Sequence, residues 1–432
     1  MKILVLGAAR SGLAVARLAI HDGHEVTLND GDHVLVPEDL QAKIKVITGS
    51  HPESLWDDGF DLVIKNPGIK HTLPFVKGFI ARSIPVINEM EYASWGVSYR
   101  YGAITGTNGK TTTTALLGEL LKVLHPHNGA YGNIGNALSE IALAHPREKL
   151  TLALEMAAFQ LLGTPTLHPQ VSVILNLSPD HLDVFESLEA YYQAKMLVYR
   201  NQSGEDWFLL NLDDPEIVKR ATDVPCNVVT FSLEKKADVC IESGTVTCFG
   251  EPLFDLTDLQ IVGRHNVQNA MVAAAMAYKL GVTPTQIKAG IQAFKGVEHR
   301  IEFVRELKGV RYYNDSKGTN AEATVVALNA FEKPVILLAG GYDKKTGFDA
   351  LKPLSSRIKT LIVYGETKHQ LATLVEKALI VNTMEEALNT AFALAQREDV
   401  VLLSPACASY DQFKNYEERG RLFKQMVMRL PG

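Results

Sequence analysis

The sequence predicts an α/β protein of three domains, and three observations carry that expectation. Its 432 residues are more than one hydrophobic core usually organises, at roughly 150 residues per domain. Short β-branched runs alternate with helical patterns over most of the chain, the pattern of parallel sheets flanked by helices. A glycine-rich turn, Gly106-Thr107-Asn108-Gly109-Lys110-Thr111-Thr112, follows one strand-like run and opens a helix-like one.

In the N-terminal stretch the strand-like runs are Ile3 to Leu6, Val26 to Asn29, Val46 to Thr48, Leu62 to Lys65 and Pro85 to Asn88. A second set contains Tyr101 to Thr105, Leu150 to Glu155 and Val171 to Leu177, with a helix-period segment from Thr111 to Leu121 between the first two. From about Glu205 to Val262 only short strand-like pieces occur, at Trp207 to Asn211, Val228 to Phe231, Val239 to Glu242 and Thr245 to Phe249. These are expected to form an accessory sheet of the second domain, before the Ala-rich helical stretch from Asn266 to Leu280. After Glu298 a third set opens with Ile301 to Glu306 and Val310 to Asn314 and continues at Val335 to Ala339, Thr360 to Tyr364 and Val400 to Ser404. The expected domains are 1–95, 96–298 and 299–432.

Composition narrows the function. With 46% hydrophobic and 21% charged residues, and 32 Gly and 18 Pro spread through the chain, neither disorder nor a collagen-like structure is expected. Lys and Arg total 43 against 49 for Asp and Glu, a formal charge of −6 without a basic block, so nucleic acid is not an expected partner. Four cysteines (Cys226, Cys240, Cys248 and Cys407) form no CxxC pair, which fits a reducing cytoplasm. The apolar start from Ile3 to Ala9 is cut by Arg10, too short for a membrane span, and reads as a first strand.

The glycine-rich turn is the sharpest chemical signal. Its backbone N–H groups and the positive end of the following helix can hold phosphate oxygens, Lys110 can neutralise terminal phosphates, and the Thr111 hydroxyl can ligate Mg²⁺. Ile104 stands where the common pattern has its first glycine, so the loop is a variant. Gly7-Ala8-Ala9-Arg10-Ser11-Gly12 lacks the middle glycine of a dinucleotide fingerprint and reads either as a bare turn or as a seat for another ligand's phosphate. Asp30 is either a ribose or base acceptor or an exposed loop acid.

Glu155 ends an apolar strand, where a carboxylate commonly faces the ligand crevice, and Mg²⁺ is its expected partner. His181 lies between two acids in Asn176-Leu177-Ser178-Pro179-Asp180-His181-Leu182-Asp183 and reads as a hydrogen-bonded loop histidine or a ligand. Lys195, on a helical pattern from about Ser187 to Tyr199, is either a solvated lysine or an amine whose pKa nearby cations depress.

Taken together these residues resemble the Mur ligases, ATP-dependent amide-forming enzymes of peptidoglycan synthesis, from end to end. The run from Leu403-Ser404-Pro405-Ala406-Cys407-Ala408-Ser409-Tyr410-Asp411-Gln412-Phe413 through Gly420, and Asn314-Asp315-Ser316-Lys317 followed by Thr319-Asn320, resemble the branch that adds D-glutamate. The resemblance implies an N-terminal Rossmann-like domain, a central P-loop-type ATPase domain with a parallel sheet and accessory β-sheet, and a C-terminal Rossmann-like domain. It implies a cytoplasmic monomer acting on UDP-N-acetylmuramoyl-L-alanine, D-glutamate and ATP, with no nucleic-acid or membrane partner.

The resemblance also implies roles. Gly106, Thr107, Asn108, Gly109, Lys110, Thr111 and Thr112 would hold the ATP phosphates, and His265, Asn266, Asn269, Arg300 and Asp315 would surround the rest of the nucleotide. Two Mg²⁺ ions would be held by Thr111, Glu155, His181 and Lys195, the last as a carbamate. Lys110, Glu155, His181 and Lys195 would be the catalytic set. Arg10, Ser11, Asp30, Gly68, Asn133 and His181 would meet the UDP substrate, and Lys317, Thr319, Lys344, Ser409 and Tyr416 would receive D-glutamate. Lys344 has Lys345 beside it and also reads as a surface lysine. Three departures stand out: Ala157-Ala158 replaces a usual Ser-Ser, Gly318 replaces a common Ala, and Gly31 and Asp32 after Asp30 do not supply the Thr and Arg seen in some relatives. The rival readings are another ligase of the superfamily, such as a different Mur ligase or a folylpolyglutamate synthase, and a nicotinamide-dependent oxidoreductase or a silent nucleotide-binding protein.

Overall fold

The computed structural model describes residues 1–179, 185–343 and 347–432. They form two compact units, Met1–Leu256 with Gln268–Ile291, and Thr257–Val267 with Gln292–Gly432. The first unit holds two sheets and the second holds one.

The first sheet is all parallel and has five strands, β1 (Lys2–Leu6), β2 (Glu25–Asp30), β3 (Lys45–Thr48), β4 (Leu62–Lys65) and β5 (Val86–Asn88), in the order β3-β2-β1-β4-β5. Both faces of β1 are covered. Ile3 and Val5 join one apolar cluster while Leu4 and Leu6 join another on the opposite face, which is why the strand reads as an unbroken apolar run. The helix Arg10–His21 buries Gly12, Ala14, Val15, Ala16, Leu18 and Ala19. At Gly12 a Cβ would stand 1.8 Å from the carbonyl oxygen of Gly7, so only glycine lets the helix start this close to the strand.

The second sheet has nine strands: β6 (Arg100–Thr105), β7 (Ala130–Gly132), β8 (Thr151–Glu155), β9 (Val171–Ile174), β10 (Trp207–Asn211), β11 (Asn227–Phe231), β12 (Val239–Glu242), β13 (Thr245–Cys248) and β14 (Glu251–Asp255). Their order is β14-β13-β12-β11-β10-β9-β6-β8-β7. The β-rich segment expected as an accessory sheet is therefore an extension of the same sheet. It joins through a single parallel pair, Phe231 with Val239, and then turns antiparallel. Strand β14 escapes the sequence reading because it carries Pro252, and a sheet edge tolerates the missing N–H.

One apolar cluster runs continuously from Ile3 and Val15 to Leu154 and Phe208, so the first two sheets share a core. Buried Glu91 strengthens that junction by accepting hydrogen bonds from the backbone N–H groups of Thr166 and Leu167 and from Trp95 Nε1.

The second unit carries a six-stranded sheet of β15 (Glu302–Leu307), β16 (Val310–Asn314), β17 (Val335–Gly340), β18 (Ile358–Tyr364), β19 (Ala378–Ile380) and β20 (Val400–Leu403), ordered β15-β16-β20-β17-β18-β19. Only β15 is antiparallel. Leu337 and Leu402 face one apolar cluster, and Ile336, Leu338, Val401 and Leu403 the other.

Candidate nucleotide and substrate sites

The glycine-rich loop leaves β6 after Thr105 and enters the helix Lys110–Leu121. Gly109 caps that helix in the left-handed region at φ +86°, and a Cβ there would lie 2.5 Å from Asn269 Oδ1. Lys110 folds its ammonium back onto the loop, donating to the carbonyls of Gly106 and Thr107 at 2.8 Å each. These are neutral oxygens in the position where charged phosphate oxygens would compete for the same donor. Thr111 and Thr112 are buried in the first turn, and the Thr113 hydroxyl lies 3.2 Å from Asn269 Oδ1.

The loop is held from the end of β9, a contact the sequence did not disclose. The expected strand to Leu177 stops at Ile174, because the backbone then bends to clamp the loop. Asn176 accepts from the backbone N–H of Thr107 through its carbonyl at 3.0 Å. Its side chain accepts from the N–H of Asn108 at 2.8 Å and donates to the Asn108 carbonyl at 3.1 Å. The Thr107 hydroxyl and the backbone of Ser178 lock the same junction.

Glu155 ends β8 and is buried. Its Oε1 accepts from Asn133 Nδ2 at 2.9 Å, while its Oε2 is buried with no hydrogen-bond partner among the described residues. A bare carboxylate oxygen in such a place is costly without a cation, so the residues fit Mg²⁺. Lys195, on the helix Leu188–Met196, is 1% exposed and donates to the Gly106 carbonyl at 2.8 Å. Its ammonium also stands 4.5 Å from the centre of the Tyr191 ring. The structure thus brings Lys110, Thr111, Asn133, Glu155 and Lys195 to the carboxyl ends of β6 to β9, the ligand side of such sheets. His181 lies outside the described residues.

At the first sheet, the expected residues gather at the carboxyl ends of β1, β2 and β4. Asp30 accepts from the N–H groups of Ala8 at 2.7 Å and Asp32 at 3.0 Å. Asn66 donates to the Ser11 hydroxyl at 3.1 Å and accepts from the Gly68 N–H at 2.9 Å. Arg10 stays exposed at the helix start. Beneath them lies Lys65, buried, with its ammonium on the Ile69 carbonyl at 2.7 Å; burial pulls it down to about 8. A lysine closing an apolar strand was the available signal.

In the second unit the expected residues again meet at strand carboxyl ends, those of β16 and β20. Asp315 is buried and accepts from the Ile301 N–H at 3.2 Å and the Ser404 hydroxyl at 2.7 Å. Burial pushes it up to about 7, against the opposing pull of the Ser404 hydrogen bond and Arg300. Arg300 Nε is buried with no hydrogen-bond partner among the described residues. Asn266 donates to the Val262 carbonyl at 2.7 Å, and His265 sits next to it in the same helix turn. Lys317 and Thr319 follow in the turn after Asp315, with the Lys317 N–H on the His299 carbonyl. The residue that organises this region is Arg419, which sequence reading left inside its motif without a role. It is 1% exposed and donates to the Ser316 hydroxyl and carbonyl and to the carbonyls of Cys407 and Ala408 at 2.8 to 3.2 Å. It ties the Ser316 turn to the Cys407-Ala408 backbone that precedes the buried Ser409, while the Ser316 hydroxyl donates to the Tyr416 carbonyl at 2.8 Å. Lys344 lies outside the described residues.

A loop of this kind at a helix start, with a cation-seeking carboxylate on the neighbouring strand, defines a nucleoside-triphosphate-binding α/β protein. Comparison with known proteins narrows the class. The Mur ligase middle domain matches residues 104–277, and the Mur ligase glutamate ligase domain matches residues 299–407. The chain is 41% identical to a UDP-N-acetylmuramoylalanine–D-glutamate ligase of Latilactobacillus sakei, over 98% of this chain and 96% of that protein. It is 40% identical to the ligase of the same name from Geobacillus kaustophilus, over 99% and 98%. In fold it is similar to the UDP-N-acetylmuramate-alanine ligase MurC of Thermotoga maritima, at a TM-score of 0.59 with 20% identity over 99% of each chain. The chain belongs to the Mur ligase family.

Proposed function

We propose that this chain is an ATP-dependent ligase that joins D-glutamate to the L-alanine carboxyl of UDP-N-acetylmuramoyl-L-alanine in peptidoglycan precursor synthesis. The observation that carries the reading is its likeness, at 41% identity across nearly the whole of both chains, to a ligase named for that reaction. The division of labour follows the expected domains: residues 1–95 hold the UDP moiety, 96–298 hold ATP, and 299–432 receive D-glutamate. Among the described residues no helix is long and apolar enough to cross a membrane, and a cytoplasmic monomer is part of the same reading.

The loop N–H groups and Lys110 bind the β- and γ-phosphates, with the Lys110 ammonium moving from the Gly106 and Thr107 carbonyls to phosphate oxygens. A substrate carboxylate oxygen then attacks the γ-phosphorus, ADP leaves, and an acyl phosphate remains. The D-glutamate amine attacks the acyl carbon, inorganic phosphate departs, and the amine proton is lost. Mg²⁺, when bound, offsets the phosphate charge during both steps. Asn133 orients Glu155, and Glu155, Thr111 and His181 hold the ions, two in number in this reading.

Lys195, as a carbamate formed from CO₂ with release of a proton, becomes an anion able to hold or orient the second ion. Its burial against the loop supports that role, since a carbamate is preserved where water is excluded. Ala157 and Ala158 leave no hydroxyl for the substrate, so the backbone and Asn133 carry its positioning there. Arg10, Ser11, Asp30 and Gly68 are the uridine-side contacts. Lys317, Thr319, Lys344, Ser409 and Tyr416 supply the cations and hydroxyls that two carboxylates require.

Mass spectrometry of the product tests the reading. Incubation with ATP, Mg²⁺, the UDP-sugar and D-glutamate is expected to give the UDP-sugar extended by one glutamate. An unextended UDP-sugar, with the protein folded and ATP bound, overturns it.

A further inference from the structure

Among the described residues one group of metal-ligating side chains converges outside the glycine-rich loop. His125 and His127 flank Pro126 in the segment after the helix Lys110–Leu121, and His145 follows the helix Leu138–Ala144, three residues before Glu148. Glu148 lies between the rings. Its Oε2 is 2.9 Å from His127 Nδ1 and 3.7 Å from His125 Nε2, and its Oε1 is 2.9 Å from His145 Nδ1. The ring centres of His127 and His145 are 3.8 Å apart, and those of His125 and His127 are 5.3 Å apart. Ligand atoms of His125, His127 and Glu148 all lie within 4.8 Å of one another.

The backbone beneath this group is fixed. Buried Asn128 donates to the Leu121 carbonyl and accepts from the Thr151 N–H, both at 2.9 Å. The Tyr99 hydroxyl donates to the His145 carbonyl at 2.7 Å. Pro126 and Pro146 further restrict the two segments. The four side chains remain between 24% and 42% exposed, so an ion can reach them. Glu148 reaches His127 and His145 at hydrogen-bond distance but His125 only at 3.7 Å. A divalent cation between His125, His127 and Glu148 would bond all three directly. Imidazole nitrogens with one carboxylate suit Zn²⁺ and its neighbours, whereas Mg²⁺ seeks an octahedron of oxygens. The group stands at the amino end of β8, and Glu155 at its carboxyl end, so the two cation preferences are separated in space as well as in chemistry. The His127 N–H donates to His125 Nδ1 at 3.3 Å, a long hydrogen bond, which leaves His125 Nε2 on the side of Glu148.

We propose that His125, His127 and Glu148 form a binding site for a transition-metal dication of the Zn²⁺ class, with His145 orienting Glu148 from its other oxygen and solvent completing the shell, which ties the segment after the helix Lys110–Leu121 to the turn before β8. The experiment uses the full chain stripped with a chelator and returned to excess Mg²⁺, titrated with Co²⁺ and then Zn²⁺. One equivalent of Co²⁺ is expected to bind with the intense visible absorption of a four-coordinate site, to be displaced by Zn²⁺, and to raise the thermal midpoint. His127→Asn and His145→Asn are each expected to weaken Zn²⁺ binding about tenfold or more, as disturbing a metal's ligand shell does, and to lose the midpoint shift. Metal-free stability and ATP-dependent phosphate release should be unchanged. Glu148→Gln repeats the comparison with the side-chain shape preserved. Failure of Co²⁺ and Zn²⁺ to bind, or binding of equal strength in all three variants, overturns the proposal, the latter by locating the ion elsewhere.

Discussion

The Lys195 ammonium donates to the Gly106 carbonyl at 2.8 Å, which joins a buried lysine of one helix to the loop that opens another. If Lys195 acts as a carbamate, its removal should spare nucleotide binding and damage turnover. Lys195→Ala is expected to bind ATP within a few-fold of the parent and to lose about 10²-fold or more in kcat, the scale of one lost electrostatic group at a reacting centre. Degassing CO₂ should lower the parent's rate and leave the variant's unchanged. Equal CO₂ dependence in the two proteins would contradict the carbamate.

Glu155 presents one oxygen to Asn133, and its other oxygen has no hydrogen-bond partner among the described residues. Glu155→Gln preserves the shape and can still accept from Asn133, but it removes the charge. The Mg²⁺ concentration for half-maximal phosphate release is expected to rise about 10-fold or more. An unchanged Mg²⁺ dependence would remove Glu155 from the ion's shell.

Gly109 combines φ +86° with a Cβ position 2.5 Å from Asn269 Oδ1. Gly109→Ala is expected to destabilise the chain by about 2 kcal/mol, half or more of it from left-handed backbone and the rest from the clash. Urea unfolding measures this, and adding Asn269→Ala should make the pair less than additive. A variant as stable as the parent would mean that the loop rearranges freely.

The buried Asp315 gives a signed pH dependence. Its carboxyl is pushed up to about 7 from an ordinary 3.8, so between those values the folded chain holds a proton that the unfolded chain has released. Stability from this group is full below about 4 and is lost as pH rises through about 7, at a slope of up to roughly 1.4 kcal/mol per pH unit. Urea unfolding at pH 5 and pH 8 should show a larger loss in the parent than in Asp315→Asn. Because Glu89 is also pushed up to about 7 by burial, the difference between the two proteins is the quantity to read. Equal losses in both would contradict the shift.

What the sequence disclosed and what it hid divide along sequence distance. Lys110, Thr111 and the two loop glycines are consecutive, and their geometry follows from a strand, a turn and a helix start. The strand cores of β1, β6 and β20 are equally legible, because burial on both faces demands unbroken apolar runs. Asn176 clamps the loop from 68 residues away, and nothing local marks it out from any other asparagine. Arg419 reads as a charged helix residue until the turns at Ser316 and Cys407 are brought around it. The three-residue strands Ala130–Gly132 and Ala378–Ile380 are too short for periodicity and exist because a neighbouring strand pairs with them.

The most direct measurement is phosphate release from ATP by the Mg²⁺-loaded protein with UDP-N-acetylmuramoyl-L-alanine, adding in turn D-glutamate, L-glutamate, D-aspartate, L-lysine or no amino acid. Release that requires both the nucleotide sugar and D-glutamate is the expected result. Release driven by a different amino acid, or independent of the nucleotide sugar, would contradict the assignment.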